Sequence, residues 1–414
     1  MQPHNTSGPS RQVSDKRSAI IVFICFVAGY FLSYTIRTVN ATLAPWLTAD
    51  LNLSPADLGW LTSAYFLSFA LMQWPLGIWL DRFGARRVNA SLLLVASAGA
   101  LLMATGQSLA TVSTGRILVG IGVAACLMAP YSYFRRCYPP ERQAQLGLWM
   151  LVGGTSGSVV STLPVGAMAA WLGWRSVFAL LAVLMLTAAL AIFIKVPDDD
   201  LVRDEPAPDK PESGPGNLFR NPVILRIVPV AAIGQGGMVA LQTLWIGPWL
   251  TRVLGMDPAR MTGVLFSFTL TLMSCYIAMS FLGPALQRRG VGLRRIAETG
   301  HFIGVPLVFA IALTPFPQAW VLWLLLALTL PAMSLLQPAL TLDFPKAVAG
   351  RVLTLYNLFM FIGTFSVQWA FGLVVDAMIA AGLSESRAFQ ASLLCLAVLQ
   401  TCALLFYLLR APRG

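Results

Sequence analysis

Twelve long apolar runs constrain this chain more than any other feature. They fall at roughly 19–47, 57–80, 88–108, 110–134, 145–171 and 175–194, and again at 223–250, 260–286, 295–315, 318–342, 350–379 and 388–410. A helix that crosses a bilayer needs about 20 consecutive apolar residues, and each run is long enough. Only 11% of the residues are charged and 57% are hydrophobic, against about 25% charged in a soluble domain. The expected fold class is therefore all-α: a polytopic membrane protein with twelve transmembrane helices in two pseudo-symmetric six-helix halves.

Between the two sets of runs lies an acidic, proline-rich stretch with Asp198, Asp199, Asp200, Pro206, Pro208, Pro211 and Pro215. It has too little apolar surface to pack and reads as a solvated linker. The expected layout is a cytoplasmic tail over 1–18, an N-terminal half over 19–194, a cytoplasmic linker over 195–221, a C-terminal half over 222–410 and a cytoplasmic tail over 411–414. The net charge of +11 does not imply nucleic acid, because the basic residues are scattered among loops. With both termini inside, 22 of the 28 Lys and Arg residues fall on the inner side, including Arg82, Arg86, Arg87, Arg135, Arg136, Arg288, Arg289, Arg294 and Arg295. This bias predicts both ends in the cytoplasm of a bacterial-type inner membrane. The first run is too long for a signal-peptide core and serves as its own insertion signal. Five of the six cysteines lie in apolar runs and none forms a C-x-x-C pair, so neither a disulfide framework nor a metal site is expected.

An internal repeat supports the division into halves. Pro45-Trp46-Leu47-Thr48 ends the first run, and Pro248-Trp249-Leu250-Thr251 ends the seventh; in the same register Pro55 faces Pro258 and Ala56 faces Ala259. Gly283, Arg288 and Gly290 repeat Gly77, Arg82 and Gly84, with Gln287 in place of the acid Asp81. Arg142, Gly154 and Thr155 are echoed by Arg351, Gly363 and Thr364. Such repeats build a central site between two rocking halves in many transporters.

The stretch between the second and third runs reads Gly77-Ile78-Trp79-Leu80-Asp81-Arg82-Phe83-Gly84-Ala85-Arg86-Arg87. It matches every fixed position of G-x-x-x-D-R-x-G-x-R-[KR] and resembles the signature loop of the major facilitator superfamily of twelve-helix secondary transporters. The resemblance implies alternating access, with Gly77, Asp81, Arg82, Gly84, Arg86 and Arg87 holding the two halves together in one of the two states. Arg116 opens Arg116-Ile117-Leu118-Val119-Gly120-Ile121-Gly122, similar to the family's fourth-helix arginine followed by G-x-G. Its glycines permit close packing; for the arginine, structure and proton coupling stand as equal readings.

The first run carries Tyr30, Tyr34 and Arg37 on one helical face, with Asn40 a turn further. A charge deep in a span costs about 2.5–3.5 kcal/mol on insertion scales. Two accounts of Arg37 stand: a structural arginine satisfied by carbonyls or a carboxylate, or a bidentate ligand for an anionic solute. The first run resembles the organic-anion branches of the superfamily, which implies the second role. The seventh run offers Gln235, Gln242, Trp245 and Trp249, and the eleventh Asn357 and, on another face, Gln368. Amides facing lipid would go unsatisfied, so these are expected to face the centre, either binding the neutral part of a solute or cross-linking helices.

Gly153-Gly154-Thr155-Ser156-Gly157 lacks the Gly-Pro step of the drug-exporting branches, which argues against drug efflux. No H-E-x-x-H or G-x-S-x-G occurs, so no enzyme is expected, and no cofactor. His301, three residues from Glu298, reads as a local pair. None of the 17 acids falls at mid-membrane depth, so a coupling proton would travel mainly on the solute. The expected protein is a monomer in membrane lipid that moves a small organic anion by symport, exchange or facilitated movement. A neutral, zwitterionic or amphiphilic solute, or a solute sensor that does not transport, are the rival readings.

Overall fold

The computed structural model describes residues 16–138, 140–198, 220–314 and 316–410. The expected tail to residue 15, the linker core 199–219 and the tail 411–414 lie outside the described residues. Among the described residues, eleven helical stretches are long and apolar enough to cross a membrane. One of them, Pro55–Thr105, runs 51 residues and breaks at Gly84. Its arms, 55–83 and 85–105, are α2 and α3, which brings the number of spans to twelve. The others are α1 (Lys16–Leu51), α4 (Leu109–Cys137), α5 (Gln145–Leu172), α6 (Trp174–Lys195), α7 (Pro222–Arg252), α8 (Pro258–Arg288), α9 (Leu293–Leu313), α10 (Trp320–Thr341), α11 (Arg351–Ala380) and α12 (Glu385–Leu409).

The signature stretch is thus not a loop between separated helices. The chain turns at a single residue, Gly84, with φ 79° and ψ 162°, a conformation that a side chain with a Cβ resists. Elsewhere local chemistry sets the boundaries: Ser54 and Asp57 form a reciprocal cap at the start of α2, and Asp257 caps α8 by accepting from the Arg260 amide. α7 is irregular, with π-helical turns at Val230–Gln235 and Leu241–Trp245. Pro248 has no amide hydrogen to offer Leu244 four residues back, so the regular ladder is already broken there.

Interior glycines decide which helices lie close. A Cβ on Gly154 would stand 2.4 Å from Tyr30, and one on Gly157 would stand 2.2 Å from the Phe31 carbonyl, so this glycine face seats α5 against α1. Gly120 would meet the Tyr65 carbonyl at 2.5 Å and Gly122 the Ala96 amide at 2.2 Å, which wedges α4 between α2 and α3.

The two halves meet differently at the two ends of the bundle. At the α1–α2 end they interlock. Asp376 of α11 accepts from the Ala56 amide at 2.9 Å, and Trp60 packs edge-on against Trp369, with ring centres 5.3 Å apart. Cβ atoms on Gly372, Gly59 and Gly247 would come within 2.3, 2.8 and 2.2 Å of the carbonyls of Pro55, Gln368 and Ala41. At the signature-loop end several ion pairs lie within one half. Arg86 and Arg87 share Asp198 at 2.5 and 2.9 Å, Asp81 meets Arg136 at 3.5 Å, and Arg294 pairs with Asp343. The apolar cluster there, around Ile227, Leu340, Tyr356 and Tyr407, is separate from the main core. Gly77 and its repeat partner Gly283 have nothing within 4 Å of where a Cβ would sit. Gly77 therefore has no neighbouring backbone against it in this structure.

Candidate functional site

The candidate centre is built on the α1 face that carries Tyr30, Tyr34 and Arg37. Opposite faces of α1 are tied down: Thr35 donates to the Gly157 carbonyl at 3.1 Å, Thr38 and Ser161 share a 2.7 Å hydrogen bond, and Asn40 donates to Thr62 at 3.0 Å. Held this way, α1 presents Tyr30 and Tyr34 edge to face at 5.0 Å, and Tyr30 is pressed onto Gly154. The Arg37 guanidinium lies 4.7 Å from the Tyr34 ring centre, 5.3 Å from Phe69 and 6.0 Å from Phe361. Phe361 comes from α11, so both halves contribute to the ring cage.

Arg37 donates from Nε to the Tyr65 hydroxyl at 3.2 Å. Among the described residues no carboxylate pairs with it. Arg116, fully buried on α4, donates from Nη1 to the Ile36 carbonyl at 2.6 Å and from Nη2 to the Arg37 carbonyl at 3.3 Å. Its guanidinium also lies 4.9 Å from the Tyr65 ring centre. Tyr65 therefore sits between two cations, bonded to one through its hydroxyl and covered by the other. Ring faces and carbonyls soften two such charges but do not neutralise them. Buried charges are normally paired because desolvation without a partner is expensive. Chemically, the site holds guanidinium charge without a carboxylate among the described residues, and a guanidinium's planar donors match the geometry of a carboxylate or phosphate.

The other sequence candidates fall in different places. Gln242 lines a small cleft between the halves with Thr38, Thr42, Ser161 and Thr269. Gln235 lies in the first π-helical turn of α7 and keeps its Oε1 buried without a hydrogen-bond partner. Asn357 accepts from Gln337 of α10 at 2.7 Å. Asn40 is fully buried against Thr62. Trp245 stands apart from the Arg37 group: it is 1% exposed, donates to the Gln368 carbonyl at 3.1 Å and packs on Phe371 at 4.6 Å. Trp249 packs on Trp323, and Gln368 donates to Thr243. Indole rings this large fill the closed α1–α2 end better than an aqueous centre. His301 and Glu298 are not joined: His301 Nδ1 lies 2.9 Å from the Ala297 carbonyl, while Glu298 accepts from the Tyr407 hydroxyl at 2.8 Å. Sequence reasoning missed Tyr65, Phe69, Phe361 and Gln337; the one signal available was the i, i+4 aromatic pair Tyr65 and Phe69.

Fold and site together define a polytopic membrane protein whose two helical halves surround a cationic, aromatic-walled centre. The chain belongs to the Major Facilitator Superfamily, whose profile matches residues 26–367. Among curated relatives, it is 27% identical over 208 residues to the hexuronate transporter of Bacillus subtilis (strain 168), covering 49% of this chain and 48% of that protein. It is 28% identical over 228 residues to an MFS-type efflux pump of Mycolicibacterium smegmatis (strain ATCC 700084 / mc(2)155), covering 55% of this chain and 53% of that one. The chain thus spans about half the length of these relatives. In solved structures the fold resembles a bacterial homolog of the human lysosomal transporter Spinster in an inward-facing, unoccupied conformation, with a TM-score of 0.78 at 19% identity, covering 96% of this chain and 98% of that one. It also resembles a D-xylose-proton symporter, with a TM-score of 0.76 at 16% identity, covering 95% and 98%.

Proposed function

We propose that the protein is a secondary transporter that carries a small organic anion across the membrane by alternating access, with Arg37 as the anion's anchor. The observation that carries this reading is the pair of guanidiniums around Tyr65 with no carboxylate among the described residues to neutralise either. Arg116 is committed to α1 carbonyls, which leaves Arg37 to meet the solute's charge. Tyr34, Phe69 and Phe361 would cover its apolar body, Tyr30 backs Tyr34, and Gln242 and Gln235 offer hydrogen bonds from α7. Asn40, Trp245 and the bonded Asn357 hold helices in this reading.

The contrast between the two ends supports the alternating-access part. The α1–α2 end is locked by glycine contacts and Asp376, while at the signature-loop end Gly77 and Gly283 face open space. With basic loops inside, this arrangement fits an inward-open state, and Asp81, Arg82, Gly84, Arg86, Arg87 and Gly77 lie at the end that the opposite state would close. The hexuronate transporter among the relatives acts, by its name, on an anion, which fits Arg37 as anchor. A neutral or zwitterionic solute is the second reading, favoured by the ring cage that already partly satisfies Arg37.

A thermal-shift screen of the purified protein against carboxylates, phosphates, amino acids and neutral sugars tests the choice, because a ligand that binds only the folded state stabilises it by mass action. Stabilisation by carboxylates or phosphates, lost in Arg37→Ala, is the expected result. Stabilisation by neutral solutes alone would overturn the anion reading.

A further inference from the structure

The repeat of the signature stretch leaves a loose end in the C-terminal half. In the first copy acids stand among the arginines: Arg86 and Arg87 share Asp198, and Asp81 meets Arg136. In the second copy Gln287 stands where the acid would be. Arg294 takes Asp343, while Glu298 turns away to Tyr407. Arg288, Arg289 and Arg295 remain exposed, their side chains with no hydrogen-bond or ion-pair partner among the described residues.

Adjoining this basic stretch in the sequence, an apolar groove of about 550 Å³ opens between the end of α8, α9 and α10, with Leu286, Val291 and Ile296 in its lining. Its walls include Ile296, Gly300, Ile303, Leu307, Leu325 and Leu328. Ile303, Leu325 and Leu328 are 52%, 42% and 50% exposed, so the groove opens onto the outer, lipid-facing surface. From Ile296 to Leu307 is eleven residues, about 16 Å at the helical rise. That is close to half the ~30 Å hydrocarbon core, the depth of one leaflet.

We propose that this groove is a binding site for one anionic phospholipid, its phosphodiester held by Arg288, Arg289 and Arg295 and an acyl chain laid along α9 and α10. Unpaired basic residues at the mouth of an interhelical pocket are what an anionic headgroup requires, and a groove one leaflet deep is what its chain requires. A zwitterionic lipid fits the groove but gains no net attraction from the arginines. The site lies outside the Arg37 centre and does not depend on what that centre carries.

Native mass spectrometry of the purified full chain, titrated with phosphatidylglycerol or phosphatidylcholine of identical chains, tests this. Phosphatidylglycerol should give one tightly held adduct that phosphatidylcholine does not. The triple variant R288Q/R289Q/R295Q changes exposed side chains only and should weaken that adduct roughly a hundredfold, about fivefold per arginine. Leu328→Trp, at a half-exposed position, fills the groove and should weaken it with the charges intact. Glycerol phosphate, which offers the headgroup without a chain, should not compete at equal concentration. Equal retention of both lipids, an adduct unchanged in the triple variant or in Leu328→Trp, or competition by glycerol phosphate would each overturn the proposal.

Discussion

Arg37 and Arg116 are both arginines within spans, yet their surroundings assign them different work. Arg116 spends two charge-assisted hydrogen bonds on α1 carbonyls, each contributing about 1.5–3 kcal/mol. Arg116→Ala should therefore lower unfolding stability by about 3 kcal/mol or more, read as a fall in melting temperature without ligand. Arg37 makes one hydrogen bond, to a tyrosine hydroxyl, so Arg37→Ala should leave the melting temperature nearly unchanged while removing stabilisation by the anion. Arg37→Lys keeps the charge but loses the planar fork and should weaken anion binding roughly tenfold, the effect of about one charge-assisted hydrogen bond. Should both Arg37 variants bind normally, or both fail to fold, the anchor role is wrong. The first-helix face was legible because a 3.6-residue period puts Tyr30, Tyr34 and Arg37 in line. The partners on α2 and α11 were not, since nothing in the sequence says which aromatic of so apolar a chain turns inward.

At the scale of helices, glycine positions separate fixed contacts from intermittent ones. A leucine at Gly154 would collide with Tyr30, and overpacking of this kind typically costs about 1–3 kcal/mol. Gly77→Leu meets open space in this structure, so it should change stability by no more than about 0.5 kcal/mol and yet cut flux by blocking closure at its end. Normal flux in Gly77→Leu would remove the case that α2 closes there. Asp81→Asn breaks the contact with Arg136; it should preserve membrane abundance, shift the balance between the two states and reduce transport. Wild-type flux at equal abundance would refute that. The apolar runs located every span because hydropathy reports lipid exposure directly. The abrupt turn at Gly84 and the π-helical turns of α7 were hidden, because both depend on backbone geometry that the same residues do not force elsewhere.

For the whole molecule, the described acids are engaged in structural contacts. Asp50 pairs with Arg175, Arg252 with Glu385, Arg294 with Asp343, and Asp376 caps the α2 amide of Ala56. None of these contacts reaches the Arg37 centre, so proton dependence should follow the ionisation of the solute. In liposomes with an imposed pH gradient, an anion of constant charge should equilibrate or exchange without uphill accumulation; strong accumulation that vanishes on neutralising Glu298 or Asp376 would show a protein-borne proton. The two-half architecture was readable from the repeat of Pro45-Trp46-Leu47-Thr48, whereas the contrast between the two ends of the bundle was not, since it depends on how distant helices pack. The most direct test of the account compares uptake of a hexuronate-like carboxylate with that of its uncharged amide in proteoliposomes, for wild type and Arg37→Lys at equal protein. The account predicts that wild type moves the carboxylate well and the amide poorly, and that Arg37→Lys loses most of that preference. Equal movement of both solutes, or a preference untouched by Arg37→Lys, would contradict it.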